Sequence, residues 1–121
     1  MKLLHFCLIL LIPGFLTAQK TSVFTEKTAE FERGLDLYDQ GIYGAAFSAF
    51  EHSSKIDDAN NDPKVTLLTA KSKLMMGKSS VRIGKPDAEM VMLTYFRQNQ
   101  PDALAYEAVM DLGNYYYSRK N

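Results

Sequence analysis

Residues 30–56, EFERGLDLYDQGIYGAAFSAFEHSSKI, constrain the fold of this 121-residue chain more than any other stretch. Apolar residues recur every three or four positions on both sides of Gly41, which is the spacing that places side chains on one helical face. Gly34 lies inside the first segment, although glycine in a helix interior costs about 1 kcal/mol relative to alanine. It therefore predicts a close approach of a second helix, with Ala46 on the other side of the contact. We expect two helices packed as an antiparallel hairpin.

The same stretch resembles a tetratricopeptide repeat (TPR), a 34-residue helix–turn–helix unit that stacks into solenoids. The family has a small residue and an aromatic in its first helix, a turn glycine followed by an aromatic, and Ala-x-x-x-Phe in its second helix. Two positions depart from the family pattern, because Glu30 replaces a frequent tryptophan and Asp58 replaces a proline. The matching positions are Gly34, Tyr38, Gly41, Tyr43, Ala46 and Phe50.

The pattern recurs later in the chain. Ala70 follows Gly34 by 36 positions, and Gly77 follows Gly41 by the same number. These spacings predict a third helix whose small contact residue is Ala70 and whose end is marked by Gly77. The same reasoning places helices over about 25–39, 43–56, 64–76, 87–98 and 102–119, with a long loop over 77–87.

The last predicted helix carries the most complete family match, since Leu112, Gly113 and Tyr116 reproduce Leu-Gly-x-x-Tyr. The fold class we expect is all-α, a TPR-like antiparallel helix-hairpin solenoid of about five helices. Gly34, Ala70 and Gly113 would be successive sites of close helix contact. The resemblance implies repeats over about 27–60 and 63–101, and the first helix of a third repeat over 102–121.

Residues 1–19, MKLLHFCLILLIPGFLTAQ, are typical of a secretory signal peptide, with a basic start, an apolar run and small residues at the end. The apolar run is shorter than the roughly 18–20 residues that span a bilayer, and Pro13 interrupts it. We expect an exported helical domain over residues 20–121. Because the one cysteine, Cys7, lies in the apolar run, that domain would have no disulfide.

The composition argues against nucleic-acid binding and against a disordered chain. The chain has 14 Lys and Arg and 14 Asp and Glu, so no charge excess points to nucleic acid. Its 46% of hydrophobic residues is enough for a packed helical core.

Motifs for catalysis, metals and cofactors are weak. The GKSS run at 77–80 lacks the upstream glycine of a phosphate-binding loop, since Ser72 stands there, and it follows a helix instead of a strand. His52 has no second histidine or cysteine beyond the signal peptide. The acidic loop DDANNDP at 57–63 lacks the order of a calcium-binding loop. We therefore predict no catalytic residue, no metal and no cofactor.

The resemblance implies a non-catalytic protein–protein interaction scaffold of the bacterial periplasm or outer membrane face, which binds other envelope proteins or peptides in a concave groove. The residues it places in that groove are Glu30, Arg33, Asp36, Leu37, Thr66, Thr69, Lys73, Asn114 and Tyr117.

Three alternatives remain open. The chain could be the N-terminal helical part of a longer envelope enzyme or ligand-binding protein. It could self-associate through the C-terminal helix, because Tyr115, Tyr116 and Tyr117 are consecutive and cannot all face inward. A basic cluster could also bind an acidic ligand or lipid headgroup instead of being a solvated face. Its members are Lys71, Lys73, Lys78, Arg82 and Lys85.

Overall fold

The computed structural model describes residues 22–57 and 61–120, which form helices and turns and include no strand. This confirms the all-α class. The predicted signal peptide and the departure at Asp58 lie outside the described residues. Helix α1 covers residues 22–39 of the described part, and the remaining helices are α2 (Tyr43–Lys55), α3 (Pro63–Ile83), α4 (Ala88–Asn99) and α5 (Ala103–Arg119).

Gly41 closes α1, as the sequence predicts. Its φ of 77° lies in the left-handed region that glycine adopts without steric cost. The Gly41 amide donates to the Tyr38 carbonyl at 2.9 Å, and the Ile42 amide donates to the Leu37 carbonyl at 2.9 Å. These bonds satisfy carbonyls at the helix end and turn the chain into α2.

Helix α3 is longer than predicted. Asp62 begins it by accepting a hydrogen bond from the Lys64 amide at 2.8 Å, and Pro63 occupies the first position. The helix ends at Gly84, which has a φ of 80°. The prediction of a loop over 77–87 is therefore wrong for residues 77–83.

The serine hydroxyls in this part of α3 form hydrogen bonds with backbone carbonyls one helical turn earlier. Ser79 Oγ donates to the Met75 carbonyl at 2.8 Å, and Ser80 Oγ donates to the Met76 carbonyl at 2.9 Å. The prediction that Gly77 ends the third helix is also wrong. It is buried in mid-helix under Met92, and a Cβ built on it would overlap Sδ of that side chain.

The helices form two layers. Helices α1, α3 and α5 run side by side in the same direction. Lys78 and Arg82 of α3 pair in the same order with Glu107 and Asp111 of α5. Phe24 and Lys64 line one cavity near the starts of α1 and α3, and Tyr38 contacts Arg82 near their ends. Helices α2 and α4 lie on the other layer, α2 against α3 and α4 against both α3 and α5. A buried apolar cluster joins α3, α4 and α5 and consists of Leu74, Val81, Ala88, Met92, Ala108 and Leu112.

The hairpins α1–α2 and α3–α4 share a glycine contact. A Cβ at Gly34 would lie 2.6–2.9 Å from the Phe50 ring, so the ring packs directly on the backbone of α1. The Met92 side chain packs directly on the backbone of α3 at Gly77 in the same way. The two glycines are 43 positions apart and the side chains that cover them are 42 positions apart, so the same contact occurs at corresponding positions of the two hairpins.

A hydrogen bond repeats in the same positions. Ser53 Oγ donates to the Lys27 carbonyl at 3.0 Å, and Tyr95 Oη donates to the Ala70 carbonyl at 3.0 Å. In each hairpin the donor lies three residues after the side chain that covers the glycine, and the acceptor lies seven residues before the glycine. In each hairpin this hydrogen bond therefore fixes where the second helix lies along the axis of the first helix.

These contacts correct the predicted series of small residues. Gly34 is a site of close contact, but the side chain nearest to it is Phe50 and not the predicted Ala46. In α3 the corresponding site is Gly77, two helical turns after Ala70. Gly113 is exposed and has no atom within 4 Å of a built Cβ, so the contact predicted there is wrong within the described residues. The physical reason is that α5 has no following helix over its outer face among those residues.

Candidate interaction surfaces

A groove opens between α2 and α4, which do not pack against each other. Helix α3 is its floor. Its apolar half has a volume of about 490 Å³. Met90 and Val91 line that half while remaining 67% and 46% exposed. The Lys85 ammonium lies 3.5 Å from the centre of the Phe47 ring on the opposite wall, a cation–π contact.

The other half of the groove is polar and has a volume of about 430 Å³. Lys73 and Tyr95 line both halves, so the two are adjacent. Lys73 is exposed and forms no ion pair with a described residue. The polar end is lined by Ser54, Asp57, Asn61, Thr66, Thr69, Gln98 and Asn99.

Three of the nine residues predicted for a binding groove line this one, namely Thr66, Thr69 and Lys73. They lie together on one side of α3, facing α4. The other six residues do not line it.

The predicted groove residues of α1 and α5 lie elsewhere. Glu30 accepts from Arg33 at 2.7 Å and lies 3.4 Å from His52 of α2, and the Arg33 hydrogen bond lowers the pKa of Glu30. Leu37 is half-buried at the end of α1, and Asp36 is exposed there. Asn114 and Tyr117 are exposed on α5.

Arg82 forms a polar cluster between α1, α3 and α5 that was not predicted from the sequence. Its guanidinium donates twice to the Asp111 carboxylate, at 2.7 and 3.0 Å, and lies 4.9 Å from the Tyr115 ring and 5.7 Å from the Tyr38 ring. Burial raises the pKa of Tyr38 to about 12, although the Arg82 charge acts in the opposite direction. A second ion pair, Lys78 with Glu107, also joins α3 to α5.

Lys27 anchors the end of α2. Its side chain is fully buried, and Nζ donates to the carbonyls of Ser53 at 2.6 Å and Ile56 at 2.8 Å. A cation is favourable at the carbonyl end of a helix. Ser72 extends the network by donating to Ser53 Oγ at 2.9 Å. Lys27 therefore has a structural role.

The outer face of α5 carries several large exposed apolar side chains. Met110 is 66% and Tyr117 73% exposed, on either side of exposed Gly113. Tyr106 continues the stripe one turn earlier and contacts Phe96 of α4 at a ring-centre distance of 5.6 Å. These four residues, Tyr106, Met110, Gly113 and Tyr117, are called the α5 stripe below.

In the described ranges, no three His, Cys, Asp or Glu side chains are grouped so that they could hold a metal ion. Nor does any helix in those ranges combine the length and apolarity needed to cross a bilayer. Comparison of the chain with protein-family models, with curated proteins and with solved structures found no match.

Proposed function

We propose that this chain is a non-catalytic protein–protein interaction scaffold with a TPR-like arrangement of helical hairpins. The observation that carries the proposal is the open groove between α2 and α4, whose two adjacent halves are lined by exposed apolar side chains and by polar ones. Grooves of this kind accept an amphipathic helix or an extended segment of another protein. Repetition of the same glycine and hydroxyl contacts in two hairpins supports a repeat architecture, although the spacing is 42–43 residues instead of 34.

The charges in the groove indicate the ligand. Lys73 lies at the junction of the two halves without an ion pair to a described residue, so a carboxylate of the bound segment would pair with it. Met90 and Val91 would cover apolar side chains of the same segment. The ligand we propose is therefore a segment with an acidic residue next to an apolar run.

The proposed location is the periplasm or outer membrane face, and the partners are other envelope proteins. This part rests on the signal-peptide features of residues 1–19. Fractionation of cells that express a tagged full chain would test it, because a cytoplasmic full-length product would contradict export.

Affinity capture tests the proposed groove. A tagged full chain is expressed in its own cells, and captured proteins are compared with those of Met90→Asp and Lys73→Glu, which change the two halves of the groove. Lys64→Glu is the matched control, because Lys64 lies on the same helix outside the groove and is also without an ion pair to a described residue. We expect both groove variants to lose a specific partner that the control retains. Retention of every partner by both groove variants would contradict the proposal.

A further inference from the structure

The α5 stripe repeats, position by position, the helix faces that receive α2 and α4. Three residues before the glycine, an apolar side chain contacts the covering helix: Phe31 lies 5.6 Å from Phe50 between ring centres, and Leu74 is in the cluster with Met92. The corresponding residue of α5 is Met110, which is exposed.

Four residues after the glycine the match continues. Tyr38 contacts Tyr43 of α2 at a ring-centre distance of 5.1 Å, and Val81 is in the buried cluster with Ala88 of α4. The corresponding residue of α5 is Tyr117. The stripe thus has the same large–glycine–large order as the two covered faces, and corresponds to two interfaces that the molecule already forms.

We propose that the α5 stripe docks an amphipathic helix of a partner protein, in the antiparallel orientation that α2 and α4 adopt on α1 and α3. The proposal deepens the proposed function and rests on it, because it assigns a second binding surface to the same scaffold. Gly113 would receive one large apolar side chain, as Gly34 receives Phe50 and Gly77 receives Met92.

The two covered faces define the chemistry of the docked helix. In α2 a buried alanine precedes the covering side chain by four residues and a hydroxyl donor follows it by three, as Ala46, Phe50 and Ser53. In α4 the same positions are Ala88, Met92 and Tyr95. The partner helix is therefore expected to carry Ala-x-x-x-Phe or Ala-x-x-x-Met, with Ser or Tyr three residues later. Its hydroxyl would donate to the Tyr106 carbonyl, which lies seven residues before Gly113.

A synthetic peptide of residues 43–56, YGAAFSAFEHSSKI, carries this pattern and is the probe. Fluorescence anisotropy of the labelled peptide is measured against the full chain and against Gly113→Leu. No atom lies within 4 Å of a Cβ at Gly113, so the variant is expected to fold while its side chain fills the docking site. Gly44→Leu is the matched control, because Gly44 is also an exposed helical glycine with open space around it.

We expect saturable binding to the full chain and to Gly44→Leu, and at least tenfold weaker binding to Gly113→Leu. A peptide with Phe50→Ala should also bind at least tenfold more weakly. Binding that Gly113→Leu leaves unchanged, or absence of saturable binding to the full chain, would overturn the proposal. If Gly113→Leu does not fold, Met110→Glu replaces it with the same expectations.

Light scattering across a concentration range shows whether the α5 stripe binds a second copy of this chain or a helix of another protein. Dimerisation that Gly113→Leu abolishes would overturn the partner-helix proposal, because the occupant would then be another α5. The capture experiment on the α2–α4 groove is independent of this one. If the peptide does not bind the full chain while both groove variants lose a specific partner, this inference alone is refuted. If Gly113→Leu weakens peptide binding while both groove variants retain every partner, the groove alone is refuted.

Discussion

Arg82 and Asp111 join the middle and last helices through two nearly parallel hydrogen bonds, with both side chains less than one-fifth exposed. A bidentate pair in this partly buried setting is stronger than an exposed ion pair, because its geometry is fixed and water screens it less. The same guanidinium contacts the Tyr115 and Tyr38 rings, so it connects all three helices of one layer.

We expect Arg82→Lys to lower the free energy of unfolding by about 1.5–3 kcal/mol, because lysine cannot form the two-pronged pair or stack on the rings. Urea denaturation measures the loss. Arg33→Lys is the control, because Arg33 pairs with Glu30 on an exposed surface and should change the free energy by less than about 0.5 kcal/mol. Equal effects of the two substitutions would contradict a special role for Arg82.

Lys27→Met tests the anchor at the end of α2. Loss of the ammonium leaves the carbonyls of Ser53 and Ile56 without this donor, and we expect a destabilisation of about 1–3 kcal/mol. The same urea experiment applies. Lys55→Met, which removes only an exposed i,i+4 pair with Glu51, should stay within about 0.5 kcal/mol of the parent chain. A parent-like midpoint for Lys27→Met would refute the anchoring role.

The raised pKa of Tyr38 predicts a pH dependence of stability. An unfolded tyrosine has a pKa near 10, and burial raises the pKa of Tyr38 to about 12 in the folded chain. The unfolded chain therefore loses this proton first as the pH rises. The contribution to stability is complete below about pH 10 and is lost progressively between about pH 10 and 12.

Tyr38→Phe keeps the ring and removes the titrating hydroxyl. Its urea midpoint should fall less steeply than that of the parent chain between about pH 10 and 12. Parallel pH profiles for the two proteins would show that burial of Tyr38 does not perturb its titration.

The first hairpin was predictable because its signals are local. Gly41 supplies the left-handed turn, and Gly34 marks the close contact of α1 with Phe50. The end of α3 was not predicted, because a glycine can either end a helix or lie buried within one. Periodicity does not distinguish Gly77 under Met92 from a helix-ending glycine. The signal that would have found the true end is Gly84 followed by Pro86, since proline commonly follows a helix-ending glycine.

The interaction surfaces were predicted only in part, because they depend on which helices become neighbours. Thr66, Thr69 and Lys73 line one groove, but its opposite wall comes from α4, which sequence spacing did not place there. The Arg82 cluster was missed for the same reason. Its one sequence signal is that Lys78 and Arg82 have the same four-residue spacing as Glu107 and Asp111, which suits two parallel helices.

We infer that Gly34, Gly77 and Gly113 occupy equivalent positions on their helices, and among the described residues only the first two are covered by another helix. Alanine at each glycine tests it most directly through the free energy of unfolding in urea. We expect Gly34→Ala to lose about 1–3 kcal/mol by overpacking against the rigid Phe50 ring. Gly77→Ala should lose less, because methionine adapts its shape.

Gly113→Ala should instead gain about 0.5–1 kcal/mol, since it adds helix propensity where nothing contacts the new methyl group. Two losses and one gain is the predicted result. A loss at Gly113 as large as that at Gly34, or a gain at either covered glycine, would contradict the account.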